Sequence, residues 1–289
     1  MKDVLLLFLS VLFLPILSVG QSNQIMITGR TVDSLTRTPI PFISIGIKGQ
    51  DVGTVGDENG FFELLVNKEK INDSLVVSSI GYKKQLLLIS DLLPETQPNR
   101  ELLLKAETVN LQEVRVSGKR LKRDVLGNEA TPAGVGMTAF KFSSLGNEIG
   151  LLCKVNGKMT YLEEFGVDIF LNDYDTLFFR LNVYALEGGL PKENILREPI
   201  YLKFSGVKGK ASVNLIPYNI AVDEDFVVSL EYIKKLQKVN FARKEQSGLY
   251  FGAKKIFGGT VFTRNTSQSK WIVNKSGLFA PRMEVVVKN

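Results

Sequence analysis

The chain has 289 residues, with 36 lysines and arginines against 30 aspartates and glutamates, which gives a formal net charge of +6 at neutral pH. It contains no histidine and one cysteine, Cys153. The lack of histidine excludes the Ser-His-Asp and Cys-His catalytic arrangements and the histidine-containing zinc sites of peptidases. One cysteine cannot form an intramolecular disulfide, so the fold has to be stabilised by packing, and we expect Cys153 to be a small buried apolar residue.

Residues 1–20 have the pattern of an export signal. A lysine at the second position precedes an apolar run over residues 4–14 that is interrupted only by Ser10, and the small residues Ser18 and Gly20 follow. The run is shorter than the roughly 20 residues that a membrane-spanning helix needs. Its order of charge, apolar core and small residues is typical of a secretory signal peptide. We therefore expect cleavage before Gln21 and export to the periplasm or cell envelope, with the cell surface left open as a destination.

The next segment, residues 24–105, predicts a small β-sandwich. Ile43, Ile45 and Ile47 alternate with small or polar residues and therefore share one face of a strand. The acidic Asn-Gly turn before Phe61 permits the positive φ that a tight turn between strands needs. Six or seven short strands are expected here, including residues 25–32, 41–47, 61–64, 75–80, 85–89 and 101–104.

Two runs in this segment carry a family resemblance. The run GTVGDENGFFEL at residues 53–64, followed by SSIGYK at residues 78–83, resembles the carboxypeptidase regulatory-like domain, a transthyretin-like β-sandwich at the front of many exported proteins of Gram-negative envelopes. The resemblance implies a fold and a compartment but no chemistry. Metallocarboxypeptidases with such a domain bind zinc through histidines on a separate catalytic domain. Because this chain has no histidine, we expect no carboxypeptidase activity.

Short acidic turns in the chain admit a second interpretation. The oxygen-rich residues 57–60 could bind calcium, but an EF-hand loop is longer and ends in glutamate, so we predict a structural turn. Residues 33–35, 73–75 and 175–177 have the order Asp, Ser or Thr, aliphatic residue. This order resembles the acceptor pattern of periplasmic O-glycosylation, and turn chemistry is the alternative that we favour.

Residues 106–134 are predicted to be a linker. The stretch LQEVRVSG at residues 111–118 resembles the segment that follows the same domain in TonB-dependent uptake receptors, just before the plug, but too few residues follow for the rest of such a receptor. The basic cluster at residues 119–123 has no interleaved aromatic residues and no recognition-helix pattern. We interpret it as solvated linker, and we predict no nucleic-acid partner.

Residues 135–289 carry a second β pattern. In residues 176–186, apolar side chains from Leu177 to Ala185 point one way, while Arg180 and Asn182 point the other. This alternation predicts one dry face and one face in water. About eight such strands, separated by polar turns, favour an antiparallel β-sandwich of jelly-roll type. The segment resembles a β-sandwich that recurs in exported proteins of the same bacteria, and this resemblance implies no functional residues.

Aromatic residues of the second domain make carbohydrate binding the main alternative function. Jelly-roll modules often hold sugars on aromatic faces with amides and carboxylates nearby. The candidates are Trp271, Tyr184, Tyr218 and Tyr250. Aromatic residues at period two are more often cross-strand core pairs, and we favour that interpretation.

Acidic residues after the linker leave a glycosidase as a weaker alternative, because such enzymes need only two carboxylates. The densest acidic segment contains Glu163, Glu164, Asp168, Asp173 and Asp175. Acidic turn residues explain this cluster with fewer assumptions.

The sequence therefore predicts an all-β protein with an N-terminal transthyretin-like sandwich over residues 24–105 and a jelly-roll-like sandwich over residues 135–289. We expect an exported, non-catalytic envelope protein that acts as a structural, docking or binding module. Its expected partner is an envelope protein or a glycan. We assign no catalytic, metal-binding or cofactor-binding residues and expect no small-molecule cofactor.

Overall fold

The computed structural model describes residues 23–93, 100–107, 121–128, 136–139, 144–206, 208–236, 248–255, 260–275 and 279–289. The predicted signal peptide and residues 108–120 of the predicted linker lie outside this part of the chain. Within it the secondary structure is β-strand apart from short 3₁₀ helices at Lys68–Lys70, Ile89–Leu92 and Ile216–Tyr218. The all-β class is confirmed. No helix among the described residues is both long and apolar enough to cross a membrane.

The N-terminal domain is a sandwich of two small sheets. One sheet has the strand order β4-β1-β7 and the other has the order β3-β2-β5-β6. The pair β1 and β7 is parallel, and the other pairs are antiparallel. The strands are β1 (Gln24–Asp33), β2 (Ser44–Ile47), β3 (Gly53–Val55), β4 (Phe61–Asn67), β5 (Ser74–Ser78), β6 (Gln85–Leu88) and β7 (Glu101–Leu104).

The core of this domain lies between the two sheets. Ile43, Ile45 and Ile47 are fully buried there, as their spacing predicted, and they pack with Phe62 and Leu75. A sandwich of this size has one apolar layer, so each sheet still has an outer face.

The predicted Asn-Gly turn is also present. Gly60 has φ +77°, and the Asp57 carboxylate accepts backbone N–H groups from Asn59 at 2.8 Å and Phe61 at 2.9 Å. Asp33 closes a similar turn by accepting the N–H groups of Leu35 and Thr36, each at 2.8 Å. In both turns one carboxylate oxygen is engaged with the backbone of its own turn.

The second domain contains two larger sheets of antiparallel strands. Fifteen of its strands lie in the described residues, more than the eight predicted, because several short edge strands lack a clear alternation. They are β8 (Arg123–Gly127), β9 (Gly136–Ala139), β10 (Glu148–Cys153), β11 (Thr160–Asn172), β12 (Leu177–Glu187), β13 (Leu190–Asn194), β14 (Ile200–Phe204), β15 (Gly209–Asn214), β16 (Ala221–Val222), β17 (Phe226–Tyr232), β18 (Leu249–Lys255), β19 (Thr260–Arg264), β20 (Ile272–Lys275), β21 (Phe279–Pro281) and β22 (Met283–Lys288).

The seven-stranded sheet has the order β13-β12-β17-β10-β19-β20, with β14 also paired to β12. The eight-stranded sheet has the order β21-β18-β11-β22-β8, with β15 and β16 on β11 and β9 on β18. Strand β8 falls inside the segment predicted as linker, and it pairs with β22. The range over which a linker was predicted thus contributes an edge strand to this sheet.

The main core of the protein fills the space between these two sheets. Phe165, Phe179, Phe226 and Phe251 are fully buried in it. Cys153 belongs to the same cluster, and burial raises the pKa of its thiol to about 12. This confirms the prediction that Cys153 is a small buried apolar residue.

Candidate functional site

The outer face of the seven-stranded sheet carries a row of four charged residues, of which Arg180, Glu231 and Glu148 are buried and Arg264 is partly exposed. Pairing registers place Arg180 of β12 beside Glu231 of β17, Glu231 beside Glu148 of β10, and Glu148 beside Arg264 of β19. The two outer members are cations and the two inner members are carboxylates. Their side chains lie on the face that points away from the main core.

One half of this charge row is the ion pair of Arg180 and Glu231. The guanidinium donates to Glu231 Oε2 from Nε at 3.0 Å and from Nη2 at 2.7 Å. Both side chains are almost completely buried. A buried ion pair needs further hydrogen bonds to offset the loss of hydration, and Ser267 Oγ, at 3.2 Å, supplies one to the other Glu231 oxygen.

The other half is centred on Glu148. Its carboxylate forms an ion pair with Arg264 and accepts a hydrogen bond from Ser229 Oγ. Asn182 joins the two halves, because its Nδ2 lies 2.9 Å from Glu148 Oε1 and 2.9 Å from Glu231 Oε2. Two carboxylates and two guanidiniums thus share one hydrogen-bonded network with no formal net charge.

The N-terminal domain covers this network and takes part in it. Arg180 Nη1 donates to the backbone carbonyl of Phe42 at 2.7 Å, and its Nη2 donates to Ser44 Oγ at 2.6 Å. Ser44 Oγ lies 3.4 Å from Glu231 Oε1. The same guanidinium is therefore bonded to both domains, and the charge row is a seam between them.

Backbone contacts bring the domains still closer. Gly46 of β2 faces the carbonyl of Ser267, and a Cβ at this position would lie 2.5 Å from that oxygen. The loop that carries Ser267 connects β19 to β20, and the carbonyl of its Gln268 accepts the Gly49 N–H at 2.7 Å. Glycine is needed in β2 because a side chain there would hold the loop away.

An aromatic cluster seals one end of the seam. Phe42 lies 5.2 Å from Phe178 and 5.5 Å from Tyr201, measured between ring centroids. Phe42 has φ +52°, a value rare for a bulky residue. The buried packing of its ring and the hydrogen bond from Arg180 to its carbonyl hold the strained backbone in place.

The pKa values of the Glu148 and Glu231 carboxyls are shifted in opposite directions. Burial raises the pKa of Glu148 above its ordinary value, although Arg264 opposes the shift. Burial acts in the same sense on Glu231, but Arg180 and Arg264 together outweigh it and lower the pKa of that carboxyl.

The prediction that Arg180 and Asn182 of β12 face water is wrong, because both side chains are buried. Their strand does alternate as predicted, but the second domain has a neighbour on each side of this sheet. Sequence periodicity identifies two different faces of a strand and gives no information on what covers the polar one.

The four sugar-binding candidates are not brought together. Tyr184 and Trp271 are neighbours with ring centroids 5.6 Å apart, in an edge-to-face arrangement. The Arg264 guanidinium lies 4.7 Å from the Trp271 ring centroid. Tyr218 is the last residue of the 3₁₀ helix Ile216–Tyr218, and Tyr250 lies on the eight-stranded sheet. The pair that does meet packs against the charge row as a cation–π and aromatic contact.

The five acidic candidates are also separated. Glu163 pairs with Lys288 at 2.6 Å, and Glu164 pairs with Lys210 at 2.9 Å. Asp173 accepts the Gly248 N–H at 3.0 Å. Asp168 is buried, with its carboxyl pKa raised by burial against the opposing field of Arg282, and Asp175 is exposed.

The residues that the sequence analysis missed are Glu148 and Glu231. A signal was present, because Glu231 interrupts an otherwise apolar or hydroxyl-bearing strand at β17, all seven residues of which are buried. Among the described residues, no three potential ligands of the His, Cys, Asp and Glu types come together as a metal site.

Two clefts flank the seam. One, of about 1000 Å³, lies over Asn182, Tyr184 and Arg264. The other, of about 1050 Å³, lies between strands β3 and β4 of the N-terminal domain and residues 232–236 of the second domain. The arrangement can hold the two domains in one orientation and present a surface built from both.

The fold and the seam define a two-domain β-sandwich protein whose domains are joined through a buried ion network. Residues 27–116 match the CarboxypepD_reg-like domain. The N-terminal sandwich is therefore a member of that family, which confirms the resemblance seen in the sequence.

The chain is also similar to the TonB-dependent receptor SusC of Bacteroides thetaiotaomicron. The two sequences are 35% identical over 130 residues, which cover 44% of this chain and 12% of the receptor. The chain thus aligns with about an eighth of the length of that relative.

Proposed function

We propose that this protein is a non-catalytic docking module of the bacterial envelope, in which the two sandwiches act as one rigid unit and bind another envelope protein. The observation that carries the proposal is the charge row at the seam. The carboxylates Glu148 and Glu231 are both held by guanidiniums and by hydroxyl or amide donors. Carboxylates whose oxygens are already engaged by these donors are poorly placed to turn over a substrate.

Rigidity supports binding in preference to a flexible spacer role. Domain interfaces in one chain are often polar and mobile. Here the contacts include hydrogen bonds from the buried Arg180 guanidinium to Phe42 and Ser44, an aromatic cluster and close backbone approach, together with an ion pair at 2.6 Å between Lys234 and Glu58. A rigid pair of domains presents a fixed surface, and preorganised surfaces bind with a smaller entropic cost.

The envelope location rests on two lines of support. Residues 1–20 have the composition of an export signal. The N-terminal domain belongs to the CarboxypepD_reg-like family, and the aligned relative is by name a TonB-dependent receptor. We infer that the protein works in the envelope beside proteins of the uptake machinery.

A glycan partner is the second candidate, and the cleft over Tyr184 is the observation that favours it. Its lining contains polar side chains such as Asn182, Asn194 and Gln268, and Trp271 packs against its floor through Arg264. Sugar sites combine such amides with aromatic surface. Tyr184 is itself buried, so it offers little flat face to a sugar ring.

The test is affinity capture with a C-terminally tagged chain from the envelope fraction of its native host, with bound proteins and glycans both identified by mass spectrometry. We expect a stoichiometric envelope protein. Recovery of a glycan alone would transfer the function to the carbohydrate alternative, and Trp271→Ala would then be the first variant to test.

The non-catalytic part is tested separately. The purified protein is incubated with a panel of plant and bacterial polysaccharides, and released reducing ends are measured. We expect no release above that of a buffer blank. Release by the wild-type protein that disappears in a folded Glu231→Gln variant would contradict the proposal.

A further inference from the structure

Strand β4 is an open edge of the N-terminal domain. It stands at the end of the order β4-β1-β7, so among the described residues it has β1 as its strand neighbour on one side and none on the other. The outward C=O of Phe61 accepts the Asp57 N–H at 2.8 Å and its N–H donates to the Asp57 carboxylate at 2.9 Å. Beyond Phe61 the backbone of β4 is therefore half paired. An edge of this kind is a template for another strand.

The hydrogen-bond alternation shows which groups point outward. Thr31 N–H donates to the Gly60 carbonyl at 2.9 Å, and Lys68 N–H donates to the Asn23 carbonyl at 2.8 Å. Between these bonds the antiparallel ladder alternates, so residues at even positions pair with β1. Glu63 and Leu65 therefore direct their N–H and C=O groups away from β1, toward the open side.

This edge lacks the usual protection against pairing. Natural edge strands are commonly guarded by lysine, proline, a bulge or short length. Strand β4 has seven residues, FFELLVN, with neither lysine nor proline. On its outer face Phe61 is 53% exposed and Leu65 is 49% exposed, and Leu65 stands opposite the exposed Met26 of β1.

A groove runs along the same edge. Its volume is about 1050 Å³, and its lining includes most of β4, all of β3 and residues 232–236 of the second domain. Four carboxylates and two lysines line it: Asp51, Asp57, Glu58, Glu63, Lys234 and Lys235. The groove is therefore acidic. Of its carboxylates, Glu63 is the one that lies on strand β4 itself.

We propose that β4 accepts an extended segment of a partner protein as an added β-strand in this groove. The segment carries a basic residue opposite Glu63 and apolar residues opposite Phe61 and Leu65, in the order apolar, any, basic, any, apolar. Main-chain bonds to Glu63 and Leu65 supply affinity and the alternate side chains supply specificity. A second copy of this chain is disfavoured, because pairing centred on Glu63 would put like charges opposite each other.

This inference rests on the proposed docking function and names the surface and the chemistry of its partner. The probe is a fluorescein-labelled, end-capped peptide of the order Thr-Val-Thr-Arg-Thr-Val-Thr. Two relatives of it serve as comparisons. One has glutamate in place of arginine, and the other is N-methylated at the arginine and both valines, which removes the donors that would face β4.

Binding is measured by fluorescence polarisation on the chain purified from the periplasm of an expression host. We expect saturable binding of the arginine peptide and at least a tenfold loss on N-methylation. Glu63→Lys should reverse the preference for arginine over glutamate. Leu65→Pro should also weaken binding at least tenfold, because it removes an outward N–H that β1 does not use.

The matched control is Leu86→Pro on β6, the edge of the other sheet. Ile89 N–H donates to the Asp73 carbonyl at 3.0 Å, so the same alternation directs the Leu86 N–H outward, and its side chain is 73% exposed. This variant should bind the peptide as the wild type does. If Leu65→Pro fails to fold, the N-methylated peptide and Glu63→Lys still decide the question.

Absence of saturable binding, or binding that N-methylation and Glu63→Lys leave unchanged, would overturn the inference. The docking function is judged by a different result. Capture of an envelope protein that Leu65→Pro retains in full would uphold docking and reject this edge as its surface. Peptide binding at β4 with no envelope protein captured would uphold the edge and count against the proposed function.

Discussion

The two faces of strand β12 are both buried, and they are buried by different chemistry. On the inner face, Phe179, Leu181 and Val183 pack against the other sheet of their own domain. On the outer face, Arg180 and Asn182 are covered by a separate domain and hydrogen-bonded to it or to the charge row. The inner face is stabilised by removing apolar area from water, and the outer face by satisfying each polar group.

The two faces of β12 show that a polar strand face can be buried when the domain that covers it supplies hydrogen-bond partners for its side chains. The N-terminal domain contributes a carbonyl, a hydroxyl and a glycine at the seam, and each has a specific partner. Loss of one partner in such a network leaves the others buried without compensation. The inner face has no hydrogen-bond partners to lose, and its stability depends on how completely its side chains fill the space between the sheets.

The largest effect is expected on the inner face, from Phe179→Ala. Removal of a fully buried phenylalanine leaves a cavity and should lower the free energy of unfolding by about 4 kcal/mol. Denaturant titration followed by tryptophan fluorescence measures it. Leu35→Ala, at a side chain that is 88% exposed, is the control and should change stability by less than about 0.5 kcal/mol.

Next is Arg180→Met on the outer face. This variant leaves Glu231 buried without its main partner, and we expect a loss of about 3 kcal/mol. The double variant with Glu231→Leu should recover part of that loss, because it removes the unpaired charge as well. Denaturant midpoints of the wild type, the two single variants and the double variant form the measurement, and a double variant that loses the sum of both single effects would refute the coupling.

A Lys84→Ala variant is the matched surface control for this pair. Lys84 and Glu193 also join the two domains, at 3.1 Å, but both side chains are more than half exposed. An exposed pair of this kind contributes at most about 0.5 kcal/mol. A loss close to that of Arg180→Met would mean that burial does not distinguish the two contacts.

A smaller effect is expected from Gly46→Ala, which tests backbone approach at the seam. The added methyl would lie 2.5 Å from the Ser267 carbonyl, and the loop has to move to admit it. We expect a loss of about 2 kcal/mol, with new protease cleavage between or within the domains. Gly248→Ala meets only Tyr250, at 3.5 Å, and should be close to neutral.

The smallest effect is expected for the pH dependence of stability, because the pKa values of the two carboxyls shift in opposite directions. Glu231 has a lowered pKa, so it stabilises the fold above the ordinary glutamate range and loses this contribution as the pH falls through its lower folded value. Glu148 has a raised pKa, so its ionisation destabilises the fold as the pH rises through and above the ordinary range. The contributions of Glu231 and Glu148 to the pH dependence of the free energy of unfolding therefore partly offset each other.

Glu231→Gln isolates the first contribution. Its denaturant midpoint should fall less than that of the wild type when the pH is lowered from 5 to 3, although it is less stable than the wild type at neutral pH. Midpoints measured at half-unit steps give the comparison. Equal slopes for the two proteins would show that Glu231 does not carry the acid sensitivity.

Much of the fold could be predicted from local patterns in the sequence. The isoleucines of β2, the Asn-Gly turn at Gly60 and the alternation of β12 each depend on neighbours in sequence, and each was predicted. Strand β2 begins at Ser44, later than predicted, because Phe42 takes a positive φ at the seam. That conformation is set by contacts with the second domain, about 140 residues away in the chain.

The candidate site was accessible only in part. Tyr184 and Trp271 were named only among four candidate sugar-binding residues, and the structure places both against Arg264. Glu148 and Glu231 were not named at all. Their meeting depends on the register of β10 and β17, which are separated by a long stretch of chain, and no short motif encodes such a register.

The sequence by itself determined the all-β class, the family of the N-terminal domain and the exclusion of histidine chemistry, because these depend on residue identity and on spacing of a few positions. Only the tertiary structure decided that Arg180 and Asn182 are interior, that two carboxylates share one buried network, and that β4 is an open edge among the strands that the structure describes. Periodicity assigns a side chain to a face, whereas burial of that face depends on which distant element packs against it.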